Sequence, residues 1–302
     1  MSLAALLLTL AQAQGQGLVF PAGVDLVQVV VSVTTKQGRP LRDLEVKDFV
    51  VRDHGKAVTI ETFLRMQDAE GAPRLPVEVA LLLDTSSSMT GELARARDAI
   101  QAFVREVPSF ARGRIVAFDR EAYDRAFDAS SVKPVLDQMI QMKGGPGTRV
   151  FDAVIDGAGL VSRQPGRRVM VLFTDGEDST SERSLKDAVR ALQAAEITCY
   201  VVSYSARLAA FHSARGANQS LVRDSQRAVE ALAQGSGGFV VDGTSPDLVA
   251  ELKRIADDIA SSYVIGFTGA LTPKVEHHRL RVEVARRDAT VRHREGYETK
   301  AR

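Results

Sequence analysis

Residues 77–84 read VEVALLLD, and residues 167–175 read RRVMVLFTD. Each is a largely apolar run that ends on an aspartate, with Glu78 near the start of the first and Arg167-Arg168 at the start of the second. Such runs lack the in-and-out alternation of a half-exposed strand. They fit strands buried on both faces, as in a parallel sheet covered by helices. The segments between and beyond them agree. Residues 91–107 repeat Leu93, Ala96, Ile100, Phe103, Val104 and Val107 at helical spacing, and RIVAF at 114–118 is a further strand. A hairpin at 121–127, a helix at 132–142, the glycine-rich loop KGGPGT at 143–148 and a helix at 150–161 follow. After the second apolar run come a helix at 184–195, the strand TCYVVSY at 198–204, a helix at 225–234, a short strand GGFVVD at 237–242 and a helix at 246–260. This alternation predicts an α/β fold with an open, doubly wound, mostly parallel sheet.

The two ends of the chain read differently. VDLVQVVVSVT at 24–34 is a β-rich alternating strand, and Phe49–Val51 and Val58–Ile60 flank Asp53-His54-Gly55-Lys56 as a hairpin. YVIGFTG at 263–269, RLRVEVA at 279–285 and ATVRHREGYE at 289–298 are strands with little helical signal between them. The expected arrangement is a β-sandwich-like domain formed by the two ends together, with the α/β unit inserted. The alternative is two independent hairpin extensions. The expected segments are an apolar leader at 1–17, a β segment at 18–70, the α/β unit at 75–262 and a C-terminal β segment at 263–302.

Composition narrows the function. The 302 residues include 39 Lys+Arg and 38 Asp+Glu, a net charge of +1, which argues against nucleic acid as the main partner. Cys199 is the single cysteine, so an intrachain disulfide and cysteine-built zinc sites are excluded. No 18-residue apolar run is present. LAALLLTLA at 3–11, with Ala11-Gln12-Ala13 at its end, reads as the apolar core and cleavage site of an export signal, although the usual basic start is missing. An exported protein of a bacterial envelope, periplasm or medium is therefore expected. Whether the leader is cleaved or kept as an anchor stays open, as does a plain apolar N-terminus.

In open α/β sheets ligands bind beyond the carboxyl ends of the strands. Three polar clusters fall there: Asp84-Thr85-Ser86-Ser87-Ser88, Thr148 in the glycine-rich loop, and Asp175. Two carboxylates and three hydroxyls offer oxygen ligands only, which suit a hard cation. Neutral hydroxyls leave the ion's charge uncancelled, so it can take one more anionic oxygen from outside.

These residues resemble a family. DTSSS at 84–88 matches the D-x-S-x-S string of the metal-ion-dependent adhesion site (MIDAS) in von Willebrand factor A (VWA) domains. GTRVFDAV at 147–154 is similar to the family's G-T-x-x-x-D-A stretch, and LFTDGED at 172–178 to its strand-ending T-D-G. The resemblance covers about residues 75–262. It implies that Asp84, Ser86 and Ser88 touch a metal or its waters, that Thr148 ligates directly or through water, and that Asp175 acts mostly through water. The ion implied is Mg²⁺, with Mn²⁺ or Ca²⁺ as alternatives, and the implied partner is a protein that supplies a Glu or Asp carboxylate. In looser form the whole chain resembles exported bacterial VWA-related proteins with flanking β segments.

The leading expectation is thus a metal-dependent protein-binding module and not an enzyme. The alternatives are a scaffold with a vacant site and a hydrolase using Asp84. LLLDTSSS looks like an aspartic-protease string, but a second such Asp is lacking and the α/β pattern opposes that fold. The GGPGTR loop lacks the Lys-Ser/Thr of a phosphate-binding loop. Asp152 is expected to support the loop from a helix face, Glu177 and Asp178 to be solvated, and Cys199 to be core. His277-His278 is expected to form no metal site, because neighbours on a strand point opposite ways. Arg286-Arg287 and Arg292–Arg294 are expected on a solvated hairpin face. Residues 205–224 read as a long irregular stretch that either shapes partner specificity or is a disordered insertion.

Overall fold

The computed structural model describes residues 26–66, 75–142, 144–145, 147–161, 166–213 and 219–301. The N-terminal segment supplies β1 (Leu26–Thr35), β2 (Phe49–Asp53), β3 (Lys56–Val58) and β4 (Thr62–Arg65). The central unit runs through β5 (Val77–Asp84), α1 (Glu92–Glu106), β6 (Phe110–Phe118), β7 (Ala122–Phe127), α2 (Val132–Ile140), α3 (Val150–Val161), β8 (Arg167–Thr174), α4 (Leu185–Ala194), β9 (Ile197–Ser203), α5 (Ser205–Ser213), α6 (Gln219–Ser236), β10 (Val240–Asp242) and α7 (Leu248–Ser261). The chain closes with β11 (Tyr263–Thr268), β12 (Leu271–Thr272), β13 (His277–Val284), β14 (Ala289–His293), β15 (Gly296–Glu298) and β16 (Lys300–Ala301).

The central sheet has the order β10-β9-β8-β5-β6-β7. Its pairs are parallel except for β6 with β7, so the predicted hairpin at 121–127 is one strand returning on β6. All eight residues of β5 are buried, as its apolar run requires. Val77, Val79, Leu81 and Leu83 enter one core with α1, α2 and α7, while Ala80 and Leu82 enter a second with α3, α4 and α6. That division is the two-residue period of a strand. Because β6 lies on one side of β5 and β8 on the other, the winding reverses at β5, which is where such sheets bind ligands.

The ends of the chain build a joint β layer. One sheet has the order β14-β1-β11-β4 and a second β15-β13-β2-β3, with β12 and β16 as a separate pair. The two four-stranded sheets share a core that includes Val29, Val31, Val33, Phe49, Val51, Tyr263, Ile265, Phe267, Leu280 and Val282. The other face of the first sheet packs on the α/β unit through Val30, Leu64 and Val264.

Two expectations about the flanks are corrected. The stretch 289–298 is not one strand but two, β14 and β15, in different sheets. The break falls at Arg294, which is 5% exposed and turns inward. Its Nη1 donates to the Gln193 carbonyl, and its Nη2 donates to the Gln28 carbonyl at 2.6 Å and pairs with Glu196 at 3.1 Å. For the same reason Arg292–Arg294 is not a solvated face: Arg292 pairs with buried Asp258 and lies over the Phe239 ring, 4.6 Å from its centroid. Likewise, much of 205–224 is helical and belongs to α5 and α6. The leader at 1–17 lies outside the described residues. No helix among the described residues is long and apolar enough to cross a membrane.

Candidate metal centre

Asp84 ends β5, and the next five residues turn away from the sheet with a short 3-10 turn over Ser87–Met89. Asp84 is fully buried and Ser86 is 3% exposed. One Asp84 oxygen, Oδ1, accepts the Ser86 N–H at 3.0 Å, and the other, Oδ2, accepts the Thr174 hydroxyl at 2.6 Å. The Ser86 and Ser88 hydroxyls lie 3.1 Å apart. Thr174 in turn accepts the Gly176 N–H at 3.0 Å, which turns the chain past Asp175. Gly176 has φ +85, and a Cβ there would meet the Ser225 carbonyl of α6 at 2.8 Å, so both backbone and space require glycine. Asp175 is 2% exposed, and its Oδ1 accepts the Glu177 N–H at 3.1 Å.

The glycine-rich loop is fastened to both neighbours. A Cβ on Gly144 would sit 1.6 Å from the Thr85 carbonyl oxygen, so the two loops touch through bare backbone. Asp119, just past β6, accepts the Gly145 N–H at 2.6 Å, and its carbonyl accepts the Arg149 N–H at 2.9 Å. Thr148 is 4% exposed. Its N–H donates to Ser179 Oγ at 3.0 Å, and its carbonyl accepts the N–H groups of Ser179 and Thr180. Asp84, Ser86, Ser88 and Asp175 are thus assembled at the carboxyl edge of β5 and β8. Thr148 lies in a loop pinned to the segments carrying them.

The electrostatics suit a cation. Burial, then the negative charge of Asp175, push the Asp84 carboxyl up to about 7, against the lowering effect of the Ser86 and Thr174 hydrogen bonds. Among the described residues no Lys, Arg or His forms an ion pair with Asp84. Two carboxylates buried side by side, with hydroxyls around them, are a donor set for a hard divalent ion that keeps waters. The residues present therefore fit Mg²⁺. Asp84, Ser86, Ser88, Thr148 and Asp175 would hold it, and the ion would supply an electrophilic position for an anionic oxygen.

Supporting residues divide into expected and missed. Asp152, expected to support the loop from a helix face, is buried at the start of α3. It accepts the N–H groups of Glu182 and Arg183 and the Arg183 Nε at 2.7 Å. Burial acts to raise its pKa, but these bonds hold the carboxyl below the ordinary range. Asp178 is not a solvated carboxylate: it accepts the Phe151 N–H at 3.0 Å and the Ser181 hydroxyl at 2.6 Å, fixing α3 to the loop. Thr174 and Asp119 were legible only as a strand-ending threonine and a turn aspartate. Glu92, 3% exposed at the start of α1, carries no motif signal in the sequence, and it pairs with Arg95 at 3.3 Å and with Arg207 of α5. Cys199 is buried core, as expected.

The model of the von Willebrand factor type A domain matches residues 78–265, more than half of the chain. The chain belongs to the VWA family. The matched span begins in β5 and ends in β11, so it holds the whole central sheet. No curated protein matches. Among solved structures, this VWA chain is similar to an aerotolerance-related membrane protein from Bacteroides fragilis, with 20% identity over 61% of this chain and 98% of that one, at a TM-score of 0.47. It is also similar to a von Willebrand factor type A protein from Catenulispora acidiphila, with 13% identity over 94% and 76% of the two chains and a TM-score of 0.43. A third is the pilus adhesin SpaC from Lactobacillus rhamnosus GG, with 10% identity over 84% and 43%, at 0.46.

Proposed function

We propose that this VWA protein is an exported, divalent-metal-dependent protein-binding module. Its ion, Mg²⁺ in this reading, is held by Asp84, Ser86, Ser88, Thr148 and Asp175 and completes its coordination with a Glu or Asp carboxylate of the partner. The observation that carries the reading is the burial of Asp84 beside Asp175 at the winding reversal, with no cationic side chain paired to Asp84 among the described residues. Two carboxylates buried beside each other are costly to ionise together, and a divalent ion offsets that cost.

The reading is of a binder and not of an enzyme. Asp84 has no second strand-end Asp-Thr partner of the protease kind. Helix α5, tied to α1 through Arg207 and Glu92, stands at the same end of the sheet, because the Tyr204 N–H just before it donates to the Thr174 carbonyl at 2.9 Å. It is the element in reach to shape the choice of partner.

The test is capture of envelope proteins on the immobilised full chain, with elution by EDTA. Capture that needs Mg²⁺ and is lost in Asp84→Ala is the expected outcome. Partner binding that survives both EDTA and Asp84→Ala ends the proposal.

A further inference from the structure

A second cluster of metal-ligating side chains lies on the β layer. Asp53 and His54 stand at the turn between β2 and β3, and His278 lies on β13, which pairs with β2. His278 Nδ1 is 2.8 Å from Asp53 Oδ1. The His54 and His278 rings meet edge to face with centroids 4.5 Å apart. One ligand atom from each of the three residues lies within 4.8 Å of the others. The remaining oxygen of Asp53, Oδ2, accepts the Tyr297 hydroxyl at 2.8 Å. That bond orients the carboxylate from behind, as the outer partners of metal ligands do.

The location separates this cluster from the Asp84 site. The neighbouring His277 Nε2 lies 2.8 Å from Gln193 Oε1, near the end of α4. Helix α4 returns the chain from the carboxyl end of β8 to the amino end of β9. The cluster therefore sits toward the end of the sheet opposite Asp84. His277 and His278 point to opposite partners, as neighbours on a strand must. The site is assembled across strands, not from the adjacent pair.

We propose that Asp53, His54 and His278 form a second divalent-metal site, for a borderline ion such as Zn²⁺. Two imidazoles and one carboxylate select Zn²⁺ over Mg²⁺, which prefers oxygen throughout. His54 has φ +48 and Gly55 has φ +83, the left-handed pair in which Asn-Gly, Asp-Gly or Gly-Gly is favoured. His54 is exposed and lines an open groove with Arg52, Arg279, Arg281, Glu283 and Glu295, so its ring is reached from solvent. Three protein ligands leave a coordination position for water. The bound ion ties the N-terminal hairpin to a C-terminal strand.

The experiment is Zn²⁺ titration of the metal-stripped full chain against a chromophoric indicator, with Mg²⁺ present throughout. One Zn²⁺ per chain is expected. His54→Asn keeps a residue suited to the turn, so the variant folds, and its Zn²⁺ affinity falls by about 100-fold or more. Co²⁺ added to the wild type gives the visible absorption of a nitrogen- and oxygen-ligated site, and His54→Asn loses it. Asp84→Ala leaves Zn²⁺ uptake unchanged, which separates this site from the proposed magnesium centre. Equal Zn²⁺ affinity in wild type and His54→Asn, no stoichiometric uptake, or loss of uptake in Asp84→Ala overturns the proposal.

Discussion

Strands β5 and β1 both bury side chains on two faces, but they acquire their cover in different ways. Every residue of β5 is buried, and its cover comes largely from the helices that follow it in the chain. In β1, Val29, Val31 and Val33 face the β-layer core, while Val30 packs on the α/β unit. Its partners β11 and β14 lie more than 200 residues away. Between Val31 and Val33, the Ser32 hydroxyl donates to Asp258 Oδ2 of α7 at 3.0 Å. A polar residue that interrupts a strand's apolar run thus becomes a fastening point for the other unit. Around Asp258 gather the Tyr200 hydroxyl at 2.8 Å and Arg292, while Arg167 bonds the Ser262 hydroxyl at 2.6 Å just past the helix end. Between its strands and helices the central sheet is packed mainly through apolar side chains. The seam between it and the β layer adds to the apolar contacts of Val30, Leu64 and Val264 a buried polar network, where the loss of one partner strands the rest.

That difference can be broken or sharpened by measurement. The largest effect is expected at the seam. Asp258→Ala leaves Arg292 without its carboxylate and should destabilise the chain by about 3–5 kcal/mol in urea unfolding, the cost of breaking a buried pair from one side. A loss below about 1 kcal/mol shows the network to be dispensable. Truncations inside the two cores come next. Leu81→Ala in β5 and Ile265→Ala in β11 should each cost about 2–5 kcal/mol. If the seam couples the units, both variants unfold in a single transition seen alike by all probes. Two transitions, with Ile265→Ala moving only one of them, would mean that the β layer melts by itself.

The effect of Mg²⁺ is smaller and depends on pH. Without metal, the folded chain holds the Asp84 proton more tightly than the unfolded chain, since its pKa is raised from 3.8 to about 7. This group's contribution to stability is therefore present below about pH 3.8 and is lost as pH rises toward 7. Mg²⁺ competes with that proton. At a hundredfold excess over Kd it should add about 2.7 kcal/mol at pH 8, and less at pH 5, measured as the shift in Tm. A larger Mg²⁺ effect at pH 5 than at pH 8 contradicts the proposed centre. The smallest signal is chemical. Burial pushes the Cys199 thiol up to about 12, so a thiol reagent should label the folded protein only as fast as it opens. Rapid labelling at pH 8 would show that the sheet breathes at β9.

Much of the central unit was legible because its signals are local. The span of β5 at 77–84 and of α3 at 150–161 were read to the residue, since a largely apolar run and a helical repeat each report burial from a few neighbours. The residues proposed for the metal stood out because each alone fits a turn or a helix cap, whereas the set together matches the family's motif pieces in order. Their assembly at one edge is what the topology requires. The misreadings share a cause. Arg292, Arg294 and Asp178 looked solvated because charge predicts exposure unless a partner is known, and their partners lie on other elements. The stretch 205–224 looked irregular because its Ser, Arg, Gly and Asn residues break up the apolar helical repeat.

The sequence by itself determined the α/β pattern, the winding of the sheet and the set of oxygen donors, because periodicity and strand-end chemistry act over a handful of residues. Only the tertiary structure decided that β1 lies between β11 and β14, that Asp258 fastens α7 to the β layer, and that His54 meets His278. Those outcomes depend on which half-buried surfaces cover one another. Covering is a property of the packed whole, and no single segment encodes it.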